Sequence, residues 1–187
     1  SEDGGYAWKR PEPRHAFIPL KQDGVPDLGA CVTAASPPVR KGDRLLFYMM
    51  HNPNEELVHV PQRPELKPRS IGLATLRVDG FASLEAEGEG WLQSPPVELH
   101  PGKPAGDLVL NIDAAGGEAR VEILDFAGVP IEGFTSTDCN PIAEDAVERT
   151  VRWGDRSFEE LQGQTVRIRV YLRNAELYAY WMEGARE

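Results

Sequence analysis

The residues whose types and spacing suit chemistry best lie near the end of the chain, in the stretch RVYLRNAELYAYW. There Arg169, Tyr171, Tyr178 and Tyr180 alternate with apolar residues. Sugar rings stack their C–H faces on aromatic rings, and an arginine beside them can donate to hydroxyls. The same four residues also suit ordinary cross-strand aromatic and cation–π pairs on a solvent-facing sheet, or a face covered by another sheet. A second set is Asp27, Tyr48 and His51. Asp27 sits in a loop ahead of an apolar strand, where functional residues concentrate. His51 ends the strand that carries Tyr48, and can hydrogen-bond a hydroxyl, tune an acid or simply bond the backbone. Hydrolysis of a glycosidic bond needs two carboxylates about 5 to 9.5 Å apart. Asp27 and Asp79 are the best-placed candidates, at strand ends beside aromatics. Asp79, followed by Gly80, reads first as a turn residue. With 30 acidic residues in the chain, some pair meets that distance in any fold.

Other chemistries find less support. His15, His59 and His100 have no metal-ligand spacing with one another or with Cys31 and Cys139. Asp113, Asp125, Asp138 and Asp145 offer oxygens to calcium without EF-hand spacing, so no cofactor is expected and calcium is unsupported. Two distant cysteines read as small buried thiols, with a single Cys31–Cys139 bridge left open. GEGW and AAGG lack the strand-to-helix setting of a phosphate loop. Ser36 and Ser94 lack a nucleophile elbow. No catalytic residue is therefore assigned.

The net charge of −10 opposes binding to nucleic acid or to an anionic membrane, both of which rely on Lys and Arg. The longest apolar run, Leu45 to Met50, is far too short to span a bilayer. No charged-then-apolar N-terminal segment is present, so a secretion signal is either absent or outside the sequence.

The elements that must position these residues are short strands. Arg69 to Leu84 is the organising stretch: a strand over Ile71 to Leu76, the Asp79-Gly80 turn, and a second strand leaving at Phe81. Residues 1 to 26 are broken by prolines, with Trp8, Phe17 and Ile18 available for packing. CVTAAS, leading to Pro37-Pro38, and RLLFYMM, following the Lys41-Gly42-Asp43 turn, are expected to be strands. The second is apolar on both faces and reads as a doubly covered central strand. The loop from Glu55 to Pro68 is expected to be long and exposed. DLVLNIDA and EARVEILD are expected to form a hairpin through AAGG with one face buried. Further strands are expected around Ile131 and Phe134 and from Glu144 to Trp153, then one helical turn capped by Ser157 with Glu160. The last hairpin turns at Asn174-Ala175. It would place Leu172 opposite Leu177, Val170 opposite Ala179 and Ile168 opposite Trp181, with Tyr171 meeting Tyr178 and Arg169 meeting Tyr180. Regular short strands with almost no helix indicate an all-β, antiparallel β-sandwich.

Four segments together carry a family resemblance: GYAWKRPEPRHAFIPL, GDRLLFYMMHN, RSIGLATLRVDGFASLEA and LRNAELYAYW. They resemble the C-terminal part of bacterial proteins related to glycoside hydrolase family 32, similar to families 43 and 68, in which a five-bladed β-propeller precedes a β-sandwich. The resemblance implies that residues 1–78 are like a last propeller blade and residues 79–187 a jelly-roll-like sandwich. It implies upstream blades, in the same protein or a partner chain, as a packing partner. The family's nucleophile and general acid belong to earlier blades, and no matching segment occurs here. Such relatives are often exported, which suggests an extracellular or periplasmic location. The expected role is a noncatalytic accessory module that binds carbohydrate. The alternatives are completion of a glycosidase site by Asp27 and His51, and a purely structural assembly domain.

Overall fold

The computed structural model describes residues 17–18, 30–33, 37–52, 70–102 and 104–183. Backbone alone is described for residues 30–33, 51–52 and 70. The fold is all-β, antiparallel and sandwich-like. Two compact units divide the chain, Ser1–Leu76 and Arg77–Glu187. Among the described residues no helix is long and apolar enough to cross a membrane.

In the first unit, β1 (Ala30–Thr33) and β2 (Val39–Lys41) both pair antiparallel with β3 (Arg44–Asn52), which also pairs with β4 (Ser70–Arg77). Lys41 faces Arg44 across the tight turn, and Gly42 takes φ 57°, a left-handed conformation that glycine adopts without a Cβ clash. The expected double covering of β3 is not what the structure shows. Met49 is buried, but Tyr48 is 45% exposed and Met50 is exposed too. On β4, Ile71 is 83% exposed, whereas a Cβ at Gly72 would lie 3.2 Å from the Met49 side chain. The Glu55–Pro68 loop and most of residues 1–26 lie outside the described residues. Phe17 is described, and its ring meets Phe47 edge-on at 5.5 Å.

The second unit begins with the expected turn. Gly80 N–H donates to the Arg77 carbonyl at 3.0 Å, and Asp79 takes φ 55°. Asp79 is thus a turn residue, and the following strand β5 (Leu84–Gln93) starts three residues later than Phe81. Arg77 reaches the Asn111 side chain, the Ile112 carbonyl and Asp145. Asn111, fully buried between Leu110 and Ile112, donates back to the Val78 carbonyl at 2.6 Å. Burial without these partners would be costly, so the pair fixes this turn on the sheet.

The sheet of this unit is built on one long strand. β10 (Thr165–Met182) runs unbroken through Asn174-Ala175, where a hairpin was expected. On one side it pairs with β5 and then β6 (Val97–Glu98). On the other side its first half pairs with β8 (Glu118–Asp125) and its second half with β7 (Leu108–Asp113). β7 and β8 therefore lie end to end along β10 and not against each other. The AAGG turn forms, with Gly117 N–H on the Ala114 carbonyl at 3.0 Å, but it interrupts a strand instead of reversing it. Asn174, at φ 46°, marks the matching irregularity in β10. There the inward set changes parity, from Val166, Ile168, Val170 and Leu172 to Ala175 and Leu177. β9 (Asp145–Thr150) closes the far edge against β7.

The inward residues bury against Phe134, Ile142, Val151, Trp153, Phe158 and Leu161. Phe134 and Trp153 meet edge-on, and the Trp153 indole N–H donates to the Val121 carbonyl at 2.9 Å. Around Ile131 and Phe134 only isolated bridges occur among the described residues, not the expected strands. β7 is buried on both faces, unlike the half-buried strand that its alternation predicts. A single 3-10 turn, Phe158–Leu161, stands where the capped turn was expected, with Ser157 N–H on Glu160 Oε1 at 3.0 Å. Cys139 is a free, buried thiol, and burial pushes its pKa up.

Ser94 bridges the break between β5 and β6 that Pro95-Pro96 impose. Its N–H donates to the Ile168 carbonyl at 2.8 Å, and its Oγ accepts from Ile168 N–H at 2.9 Å. Ser94→Ala leaves that buried N–H unpaired, so a loss of about 1–3 kcal/mol is expected in chemical denaturation.

Candidate functional site

Alternation along β10 sends Val166, Ile168, Val170 and Leu172 inward and therefore turns Arg167, Arg169, Tyr171 and Arg173 outward. The register then sets their neighbours. Arg169 lies between Gln93 and Glu122, Tyr171 between Trp91 and Arg120, and Arg173 between Glu89 and Glu118.

Trp91 is the centre of this surface. It is 63% exposed, although tryptophan normally seeks burial. The Arg169 guanidinium stands over its ring, 5.1 Å from the centroid. That guanidinium is itself held on several sides: Nε and Nη2 donate to Gln93 Oε1 at 3.1 and 2.8 Å, and Nη1 donates to Glu122 Oε2 at 3.1 Å. Nη1 also donates to the Tyr171 hydroxyl at 3.2 Å, which donates in turn to Glu122 Oε2 at 2.9 Å. Glu122 is buried, and these bonds satisfy the charge that burial would otherwise penalise. The aromatic ring is thus braced by a rigid polar frame. Beside it, Glu89, Gly90, Glu118, Arg120, Tyr171 and Arg173 line a shallow depression of about 260 Å³. Arg120 donates to Glu118 Oε1 at 2.7 Å, and that bond holds the Glu118 carboxyl below the usual range.

Arg169 and Tyr171 are therefore brought together as hydrogen-bonded neighbours, but the expected pairing of Tyr171 with Tyr178 and Arg169 with Tyr180 does not occur. With β10 continuous, Tyr178 and Tyr180 lie beyond the irregularity. Tyr178 carries the Arg77 guanidinium 4.8 Å from its ring centroid and donates to Glu176 Oε2 at 2.7 Å. Burial first, then the Glu176 carboxylate, pushes its phenol up to about 12. Tyr180 faces Leu110 in register and lines a separate groove of about 350 Å³ with Ala82, Ser83, Leu84 and Leu177. The supposed opposition of Leu172 to Leu177, Val170 to Ala179 and Ile168 to Trp181 is likewise replaced by succession along one strand.

Of the other candidates, Tyr48 is exposed on β3, His51 pairs with Cys31 through the backbone, and Asp27 lies outside the described residues. Among the described residues no group of three His, Cys, Asp or Glu stands ready for a metal. The carboxylates weighed for calcium are engaged separately, Asp113 with Ala115 N–H, Asp125 with Val129 N–H, Asp138 with Thr135 and Asp145 with Arg77.

Trp91 is the central residue that sequence reasoning missed, together with Gln93 and Glu122. Its only local signal is an aromatic in the glycine- and glutamate-rich run GEGWLQ, because its partner Tyr171 is 80 residues away. No family model, no curated protein and no solved structure matches the chain.

Proposed function

We propose that this chain is a noncatalytic carbohydrate-binding β-sandwich, the accessory part of a glycoside-hydrolase-like protein. The observation that carries the binding role is the exposed Trp91 ring, braced by Arg169 and flanked by Tyr171. A flat aromatic face accepts the C–H face of a sugar, while the polar side chains of the adjoining depression meet hydroxyls. Holding the ring in place before binding lowers the ordering cost of association. The assignment to a glycoside-hydrolase-like parent rests on the resemblance of the four quoted segments. Calorimetric titration of the full chain against a panel of oligosaccharides, fructans and xylans included, tests the binding role. Saturable binding lost in Trp91→Ala is the expected result, and a panel without any binder contradicts it.

A second role, assembly, is favoured by the exposed apolar residues Tyr48, Met50, Ile71 and Leu73 of the first unit. Ile71→Asp is then expected to weaken self-association or capture by the parent protein in sedimentation velocity. Sedimentation unchanged by that substitution argues against it.

A further inference from the structure

We infer that the Trp91 surface selects neutral oligosaccharides over anionic ones, an inference that rests on the carbohydrate reading above. Three features of the surface lead there.

The two cations beside the ring, Arg169 and Arg120, are already hydrogen-bonded to acids. Arg169 is bound to the buried Glu122, Arg120 to Glu118, and Arg173 sits 4.0 Å from Glu118 while facing Glu89 in register. Arg167, one outward step further along β10, is turned to the Phe126 carbonyl at 3.4 Å. Uronate or sulfate recognition needs a guanidinium fork free to take two oxygens, and Arg169 spends its fork on Gln93 and Glu122.

The ring itself discriminates in the same sense. An aromatic face carries the negative part of the quadrupole, which attracts polarised C–H groups and repels carboxylates. Finally, Glu89, Glu118 and the net charge of −10 place the surface in a field that discourages polyanions at a distance. Neutral sugars lose nothing to that field. Their hydroxyls can donate to the exposed Glu89 side chain and to Glu118, whose Oε1 already accepts from Arg120.

The test follows Trp emission of the full chain, with Trp91→Phe as the control that identifies the reporting ring. The probes are neutral xylo-, malto-, cello- and fructo-oligosaccharides, set against oligogalacturonates and a sulfated glycosaminoglycan. A neutral probe is expected to saturate the signal with affinity changing less than about twofold between roughly 0.02 and 0.5 M salt, because no ion pair forms on binding. Anionic probes are expected to bind at least about tenfold more weakly. Preferential binding of an anionic probe, lost as salt rises, overturns the neutral selectivity and leaves the carbohydrate reading standing. Failure of every probe in both classes overturns the two together.

Discussion

Replacing Trp91 by alanine is expected to weaken glycan binding by about 2 kcal/mol, roughly thirtyfold, the size typical of a central aromatic anchor. The protein should stay folded. The ring is 63% exposed, and the fold loses chiefly its contact with Arg169, worth about 0.5–1 kcal/mol at such a site. Arg169 retains Gln93, Glu122 and Tyr171, so its charge remains satisfied in the variant. Calorimetry for affinity and a urea midpoint for stability separate the two effects. Tyr178→Ala makes the contrasting case: its ring and hydroxyl are occupied by Arg77 and Glu176, and it should lower stability without acting through the Trp91 surface.

The second large effect concerns the two adjacent glycines of AAGG. A Cβ on Gly117 would fall 1.8 Å from the Arg173 carbonyl oxygen and 2.6 Å from that of Asn174. Both obstacles are backbone and cannot rotate away. Gly117→Ala is therefore expected to cost about 3 kcal/mol or more. A Cβ on Gly116 would meet only the Asn174 carbonyl oxygen, at an ordinary 3.7 Å, and Gly116→Ala should cost less than about 1 kcal/mol. Urea midpoints of the two variants measure the difference. In a hairpin through AAGG both glycines would lie at a loop tip, and the two substitutions would be similarly mild.

That comparison also shows where the sequence misleads. Strand positions were legible because apolar alternation and turn residues are local signals: Arg44–Asn52, Ser70–Arg77, Leu108–Asp113 and Glu118–Asp125 all stand near their expected places. The Lys41-to-Arg44 turn and the Ser157–Glu160 contact were equally local. Strand partners were not legible. A hairpin at Asn174-Ala175 and a continuous strand with an irregularity there both put Leu172 and Leu177 on the core side. Alternation thus cannot choose between them, and long-range pairing with β5, β7 and β8 does.

The candidate site divides in the same way. Arg169 and Tyr171 were legible as an outward-facing pair, since the residues between them are plainly apolar. Trp91, Gln93 and Glu122 were not, because each reaches the surface through register with a strand distant in sequence. Tyr178 and Tyr180 appeared to belong because a reversal of the chain would have folded them back onto Arg169. Without the reversal they serve a different part of the sheet.

The indole N–H signals of the folded chain, followed by NMR during titration with neutral oligosaccharides, test the central claim most directly. The Trp91 signal, identified by its absence in Trp91→Phe, should shift progressively and saturate. Trp153, buried and bonded to the Val121 carbonyl, should stay where it is. A Trp91 signal unmoved by every glycan would contradict the account.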